Sequence, residues 1–109
     1  MVEFEMDRQN QSNVDISVVI PVYNSEDCLS ELFFQLTKAL ESLTNDYEII
    51  LINDCSLDRS WDKIAELSKH SPKLKGINFR KNFGQDNALM AGLRHSLGKS
   101  VIIMDDDLQ

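Results

Sequence analysis

Three consecutive carboxylates, Asp105, Asp106 and Asp107, follow the apolar run that ends at Met104 and precede Leu108 and Gln109. Two carboxylates about 6 Å apart repel by about 3 kcal/mol at an effective dielectric of about 20. A row of three is costly unless it is solvated or holds a cation. Taken alone, the row fits a solvated chain end as well as an ion site. Hard oxygen donors suit Mg2+ or Mn2+, which complete their shells with water and substrate phosphates. In an extended segment Asp105 and Asp107 point to one side and Asp106 to the other. Polar groups also follow the other apolar runs: Pro21-Val22-Tyr23-Asn24, then Asn53-Asp54-Cys55-Ser56, then Arg80-Lys81-Asn82-Phe83-Gly84. Neither GxGxxG nor a P-loop pattern occurs, so a phosphate here has to be held by another device.

The elements that must position these groups alternate along the chain. Short apolar runs at 16–21, 47–52, 74–79 and 100–104 read as strands, three of them near-continuous in Val and Ile as strands covered on both faces are. The third run carries Lys75 and Asn78, which suits a place nearer a sheet edge. Between the first two, Leu29, Leu32, Phe33, Leu36, Leu40 and Leu43 recur at helical spacing, with Ser25 as the expected cap. A second helix is expected from Ser60 to about His70, burying Trp61, Ile64 and Ala65 and stopped by Pro72. A third is expected from near Gly84 to Gly98, with Leu89, Met90, Leu93 and Leu97 as its packing stripe and Gly98 as a left-handed terminator. Strand and helix in this alternation predict an α/β, Rossmann-like parallel sheet with helices on both faces. In such sheets ligands bind outside the carboxyl ends of the strands, where the strand order reverses.

With 109 residues the chain has room for one domain. Eleven Lys and Arg against 18 Asp and Glu give a net charge of -7, which argues against a duplex nucleic-acid partner. The longest apolar runs are too short to span a bilayer, and no secretory leader is visible at the acidic start. Cys28 and Cys55 form no CxxC pair, so a reducing, cytoplasmic setting is expected. Residues 1–15, with Glu3, Glu5, Asp7 and Asp15, read as a solvated acidic tail, leaving 16–109 as the domain.

The strings VVIPVYN, INDCSLDRS, NFGQDNALMAGL and VIIMDDDLQ, in this order and spacing, resemble the family 2 glycosyltransferases of the GT-A fold. The likeness is greatest to members that transfer sugars onto polyprenyl phosphates, and it covers residues 16–109. The resemblance implies a nucleotide-sugar donor (UDP- or GDP-linked), a Mg2+ or Mn2+ ion, and a lipid-phosphate or glycan acceptor. By the same resemblance Pro21, Val22, Tyr23 and Ile52 belong to the nucleotide site, Pro21 and Tyr23 flanking the base. Asp54 then accepts hydrogen bonds from uracil or ribose, Asp106 lies beside the ribose, and Gln109 lies near the sugar-diphosphate. Asp105 and Asp107 match the family's DxD, Asp107 being the direct metal ligand. Two departures stand out: Ser25 occupies a position where the family often has Glu, and Cys55 replaces a frequent Gly.

Each residue also has a structural reading. Pro21 could end a strand, Asp54 and Asp58 could cap a turn, and Arg80 and Lys81 could be solvated. Gly84, Asn87 and Gly92 suit turns and close helix packing, and Cys28 suits packing. His70 and His95 read as helix-surface residues, and Trp61 as core. In the family the acceptor-side elements follow the DxD, so the chain is expected to be a donor-binding half without turnover of its own. A second consequence is a bare fourth-strand edge through which copies could associate, and in the parent a place at the cytoplasmic face of a membrane. The rival readings are a non-catalytic nucleotide-binding or scaffolding module on the same fold, and, less favoured, a receiver-type phosphotransfer domain. The latter needs a strand-end Lys that is not placed here.

Overall fold

In the computed structural model, which describes residues 2–5 and 13–107, the β-branched runs form the sheet. The elements are β1 (Val2–Glu5), β2 (Ile16–Val22), α1 (Leu29–Glu41), β3 (Tyr47–Asp54), α2 (Ser60–His70), β4 (Leu74–Phe79), α3 (Gln85–His95) and β5 (Ser100–Ile103). The strand order is β1-β5-β2-β3-β4, with β2, β3, β4 and β5 parallel and β1 antiparallel. From β2 the chain steps outward to β3 and β4, then crosses back to β5 on the other side of β2. The order therefore reverses between β2 and β5. β4, the most exposed of the parallel strands, lies at the sheet's edge, as its Lys75 and Asn78 predict.

Alternation along the strands sorts their side chains into two layers. Val18, Ile20, Val22, Ile49 and Leu51 face α1 and α2, meeting Leu29, Leu32, Leu40 and Ile64. Val19, Ile50, Ile52 and Val101 face α3, meeting Ala88, Leu89 and Leu93. Each fully buried aliphatic side chain contributes about 1.5–3 kcal/mol relative to exposure.

Three packing expectations need correction. Leu43 lies past the end of α1 and is 71% exposed, so the helix ends before the stripe does. Met90 and Leu97 are also exposed, and the buried residues of α3 are Ala88 and Gly92. Small residues there let the helix backbone approach the sheet. Gly98 has no left-handed backbone. It is required because a Cβ would fall 2.6 Å from the Ser17 amide nitrogen and 2.8 Å from the Ser100 carbonyl.

At Gly92 a Cβ would overlap the Val19 side chain and lie 2.8 Å from Ile52 Cδ1. Gly92→Ala is expected to cost about 1–3 kcal/mol from overpacking, more than the roughly 1 kcal/mol that alanine gains in a helix. Urea unfolding should show a lower midpoint at unchanged slope.

The start of the chain is not wholly a tail. β1 runs antiparallel to β5, with Val2 opposite Ile103 and Glu5 opposite Ser100. The VEFE sequence alternates, and Glu3 and Glu5 are exposed. The β5 edge expected to be bare is thus occupied, and the association proposed for that edge loses its basis. Charged side chains on a short new edge strand oppose further pairing.

Candidate functional site

A cleft of about 190 Å³ opens at the carboxyl ends of β2, β3 and β5, at the reversal point. Pro21, Val22, Tyr23, Asp54, Gln85, Asp105, Asp106 and Asp107 line it. The parallel sheet delivers one polar segment per strand to this rim, so four separate stretches of sequence meet there.

Pro21 and Val22 close β2, and Tyr23 follows them, half exposed at the mouth of the cleft. The chain then turns through Asn24 at φ 52°, a left-handed residue of the type that tolerates it. Cys55 makes the equivalent turn after β3 at φ 55°. A residue with a Cβ is strained there, which gives a physical reason for glycine at this place in the resembling sequences.

The two turns are laced together. The Asn24 amide donates to Ser56 Oγ at 3.0 Å, and the Leu57 amide donates to Asn24 Oδ1 at 2.7 Å. Ser56 Oγ in turn donates to Asn53 Oδ1, and Asn53 Nδ2 donates to Asn78 Oδ1 at 2.9 Å on β4. The Ser25 amide donates to Ser60 Oγ at 2.8 Å. Asp58 accepts from the Ser60 amide and hydroxyl and from the Glu26 amide. Burial pushes the Asp58 carboxyl up, but the Ser60 and Glu26 hydrogen bonds outweigh it and hold the group below its usual range. Asp58 therefore caps the turn, the structural role its place in the sequence suggests.

Asp54 is buried at the end of β3. Its Oδ1 accepts the Phe83 amide at 2.9 Å and its Oδ2 the Gly84 amide at 3.1 Å. The carboxylate thus anchors the segment before α3, where Gly84 takes φ 89°. That anchorage carries Gln85, the first residue of α3, to the cleft. Sequence reasoning missed Gln85; its only signal was its place directly after Gly84.

The acidic row does not split across two sides as an extended segment would: it lies past the end of β5, and all three carboxylates line the cleft. They differ in engagement, Asp105 and Asp107 being exposed whereas Asp106 Oδ2 accepts the Tyr23 amide at 3.0 Å and the Ser25 hydroxyl. Ser25 does not cap α1, whose first turn begins after Cys28. The Cys28 thiol donates to the Asp106 carbonyl at 3.2 Å. Burial first, then the Asp106 and Asp107 carboxylates, push the Cys28 thiol up, which keeps the proton that makes it a donor.

Ile52 was expected at the nucleotide site and is not there. It is fully buried, facing α3 among Val19, Ile50 and Ala88, because one step along a strand flips the side chain to the other layer. Gln109 lies outside the described residues. Arg80 and Lys81 are exposed and do not line the cleft, and His70 and His95 lie exposed on α2 and α3. Among the described residues no three His, Cys, Asp or Glu side chains cluster into a metal site. The cleft offers two exposed hard-oxygen carboxylates, Asp105 and Asp107. That donor set fits an ion that takes the rest of its shell from phosphates and water. No helix among the described residues is long and apolar enough to cross a membrane.

Comparison with known proteins agrees with this arrangement. An uncharacterized glycosyltransferase of Synechocystis sp. is 40% identical over 96 residues, covering 88% of this chain and 30% of that protein. The chain therefore spans about a third of that relative's length. The structure of S. aureus TarS 1-349 in complex with UDP superposes with a TM-score of 0.72 at 27% identity, over 86% of this chain and 28% of that one. The fold is shared too by the mannosyltransferase PcManGT of Pyrobaculum calidifontis, solved with GDP-Man and Mn2+, with a TM-score of 0.72 at 21% identity. It covers 88% of this chain and 30% of that one. The model of the glycosyl transferase family 2 matches residues 17–109, and the chain belongs to that family.

Proposed function

We propose that this chain is the donor-binding part of a glycosyltransferase that moves a sugar from a nucleoside-diphosphate donor to an acceptor. The observation that carries the reading is the cleft itself. It brings an aromatic residue and a proline together with exposed carboxylates, at the reversal point of the sheet. Tyr23 and Pro21 offer a surface for the base, and Gln85 offers amide hydrogen bonds to polar groups of the donor. Asp107 and Asp105 would hold Mg2+ or Mn2+, which when bound supplies Lewis-acid stabilisation of the departing diphosphate. In this reading the acceptor, a polyprenyl phosphate or a glycan, attacks the anomeric carbon opposite the leaving group, with inversion. A lipid-phosphate acceptor is already anionic and needs little help from a general base. A cytoplasmic location, at a membrane face in the parent protein, follows from such an acceptor.

UDP is the first donor fragment to test, because the UDP-bound S. aureus TarS structure shares both fold and sequence with this chain. Calorimetric titration with UDP should show binding in Mn2+ and at least tenfold weaker binding in EDTA. Asp107→Asn should abolish the metal-dependent part. Failure of UDP and GDP to bind with either metal would overturn the reading.

A further inference from the structure

The middle carboxylate of the acidic row does different work from its neighbours. All three line the cleft, but Asp105 and Asp107 are exposed there while Asp106 Oδ2 is taken by the Tyr23 amide at 3.0 Å and the Ser25 hydroxyl. The same hydroxyl lies 3.1 Å from the Tyr23 carbonyl, and the Cys28 thiol donates to the Asp106 carbonyl at 3.2 Å. Three residues of the β2–α1 connection are therefore fastened to one residue of the acidic rim. β5 is bound to β2 through the pairs from Ile16↔Ser100 to Val19↔Ile103. The Met104 amide still donates to the Val19 carbonyl at 3.1 Å, and Asp106 then joins the two segments again beside the cleft.

We infer that Asp106 is a positioning residue: it ties the aromatic wall at Tyr23 to the Asp105 and Asp107 wall so that a nucleotide meets both in fixed register. Without the tie, Tyr23 would rest on the lacing behind it, where Asn24 meets Ser56 and Leu57 and the Ser25 amide meets Ser60. The work of Asp106 lies in accepting two hydrogen bonds, not in carrying charge to the ligand. An asparagine can still accept both through Oδ1, whereas alanine can accept neither. Ser25 shares the role as the second donor.

The inference rests on the nucleotide reading above, and its test has one arm independent of that reading. Amide exchange of the full chain, read residue by residue by NMR, should show Tyr23 exchanging at least tenfold faster in Asp106→Ala. It should remain near wild type in Asp106→Asn. UDP titration in Mn2+ should show affinity about tenfold weaker in Asp106→Ala, the size of one lost hydrogen bond to a charged acceptor. Asp106→Asn should stay within about threefold of wild type, and Ser25→Ala should fall between them. Unchanged Tyr23 exchange in Asp106→Ala would overturn the inference. So would an Asp106→Asn variant as weak for UDP as the alanine, because charge at the ligand would then be the role. If wild type binds neither UDP nor GDP, the donor reading fails while the exchange arm still decides whether Asp106 holds Tyr23.

Discussion

Glu48→Ala is expected to lower the unfolding free energy by about 3 kcal/mol, the largest loss foreseen for one side chain outside the cleft. Glu48 belongs to a strand covered on both faces, yet its carboxylate is 4% exposed and fully engaged. Oε2 accepts the Ser17 hydroxyl at 2.5 Å and the Leu97 amide at 2.6 Å, and Oε1 pairs with Lys75 Nζ at 2.7 Å. Ser17 Oγ in turn accepts the Gly98 amide at 2.7 Å. One carboxylate thus joins β2, β3, β4 and the α3–β5 loop at the end of the sheet opposite the cleft. Its removal leaves the buried Ser17 hydroxyl and the Leu97 amide without that acceptor, and each such loss costs about 1–3 kcal/mol. For a domain of this size the midpoint of thermal unfolding should fall by about 12 °C or more. An acid dependence should accompany it. Burial pushes the Glu48 carboxyl up, but the Lys75, Ser17 and Leu97 contacts outweigh it and hold the group below its ordinary value of 4.5. The unfolded chain therefore takes up the proton first. The stabilisation is present above pH 4.5 and drains away as pH falls through the lower folded value. In Glu48→Gln that part of the acid dependence should vanish. An unfolding profile between pH 3 and 6 (a window of about three units) with the same slope in both proteins would contradict this account.

Asp54→Ala should damage both stability and binding. Its two oxygens take the Phe83 and Gly84 amides. Hydrogen bonds to a charged acceptor contribute about 1.5–3 kcal/mol each, so a combined loss of about 2–3 kcal/mol is expected after water compensates the freed amides in part. Released from the anchor, the loop before α3 no longer fixes Gln85 at the cleft, and the Phe79–Phe83 edge-on contact at 5.4 Å loosens. UDP affinity should fall by about tenfold or more. Asp54→Asn keeps one good acceptor and should lie midway. The decisive pair of measurements is thermal unfolding and UDP titration on the same preparations. A variant that loses stability but binds UDP as wild type would show that the loop does not position the ligand site.

How far the sequence discloses this molecule follows from the range of the forces involved. α2 and β4 were legible, because Pro72 stops one and charged residues, Lys73 before and Arg80 and Lys81 after, bound the other. The rim was legible because each strand-ending motif, PVYN, INDCS and MDDD, carries polar groups that a buried strand excludes. What escaped was long-range. Ser25 looks like a helix cap until Asp106 comes within reach, and Gly98 looks like a helix stop until Ser17 packs against it. Ile52 was misplaced because β3 is buried throughout, so no alternation marks which layer each residue joins. β1 escaped because four residues of VEFE give too short a pattern to stand out from an acidic stretch.

That strand has a consequence for the order in which the structure forms. β1 is the first part of the described chain to be synthesised, yet its partner β5 is the last strand of the sheet. Closing a loop that spans nearly the whole chain is entropically costly, and a ladder of four residue pairs returns little for it. β2, β3 and β4 have neighbours that the intervening helices bring close, and β5 is led to β2 by α3, which packs on both β2 and β3. β1 is thus the late arrival: it waits for the remaining sheet to assemble, docks as a seal, and is the first element to lift away when the fold opens.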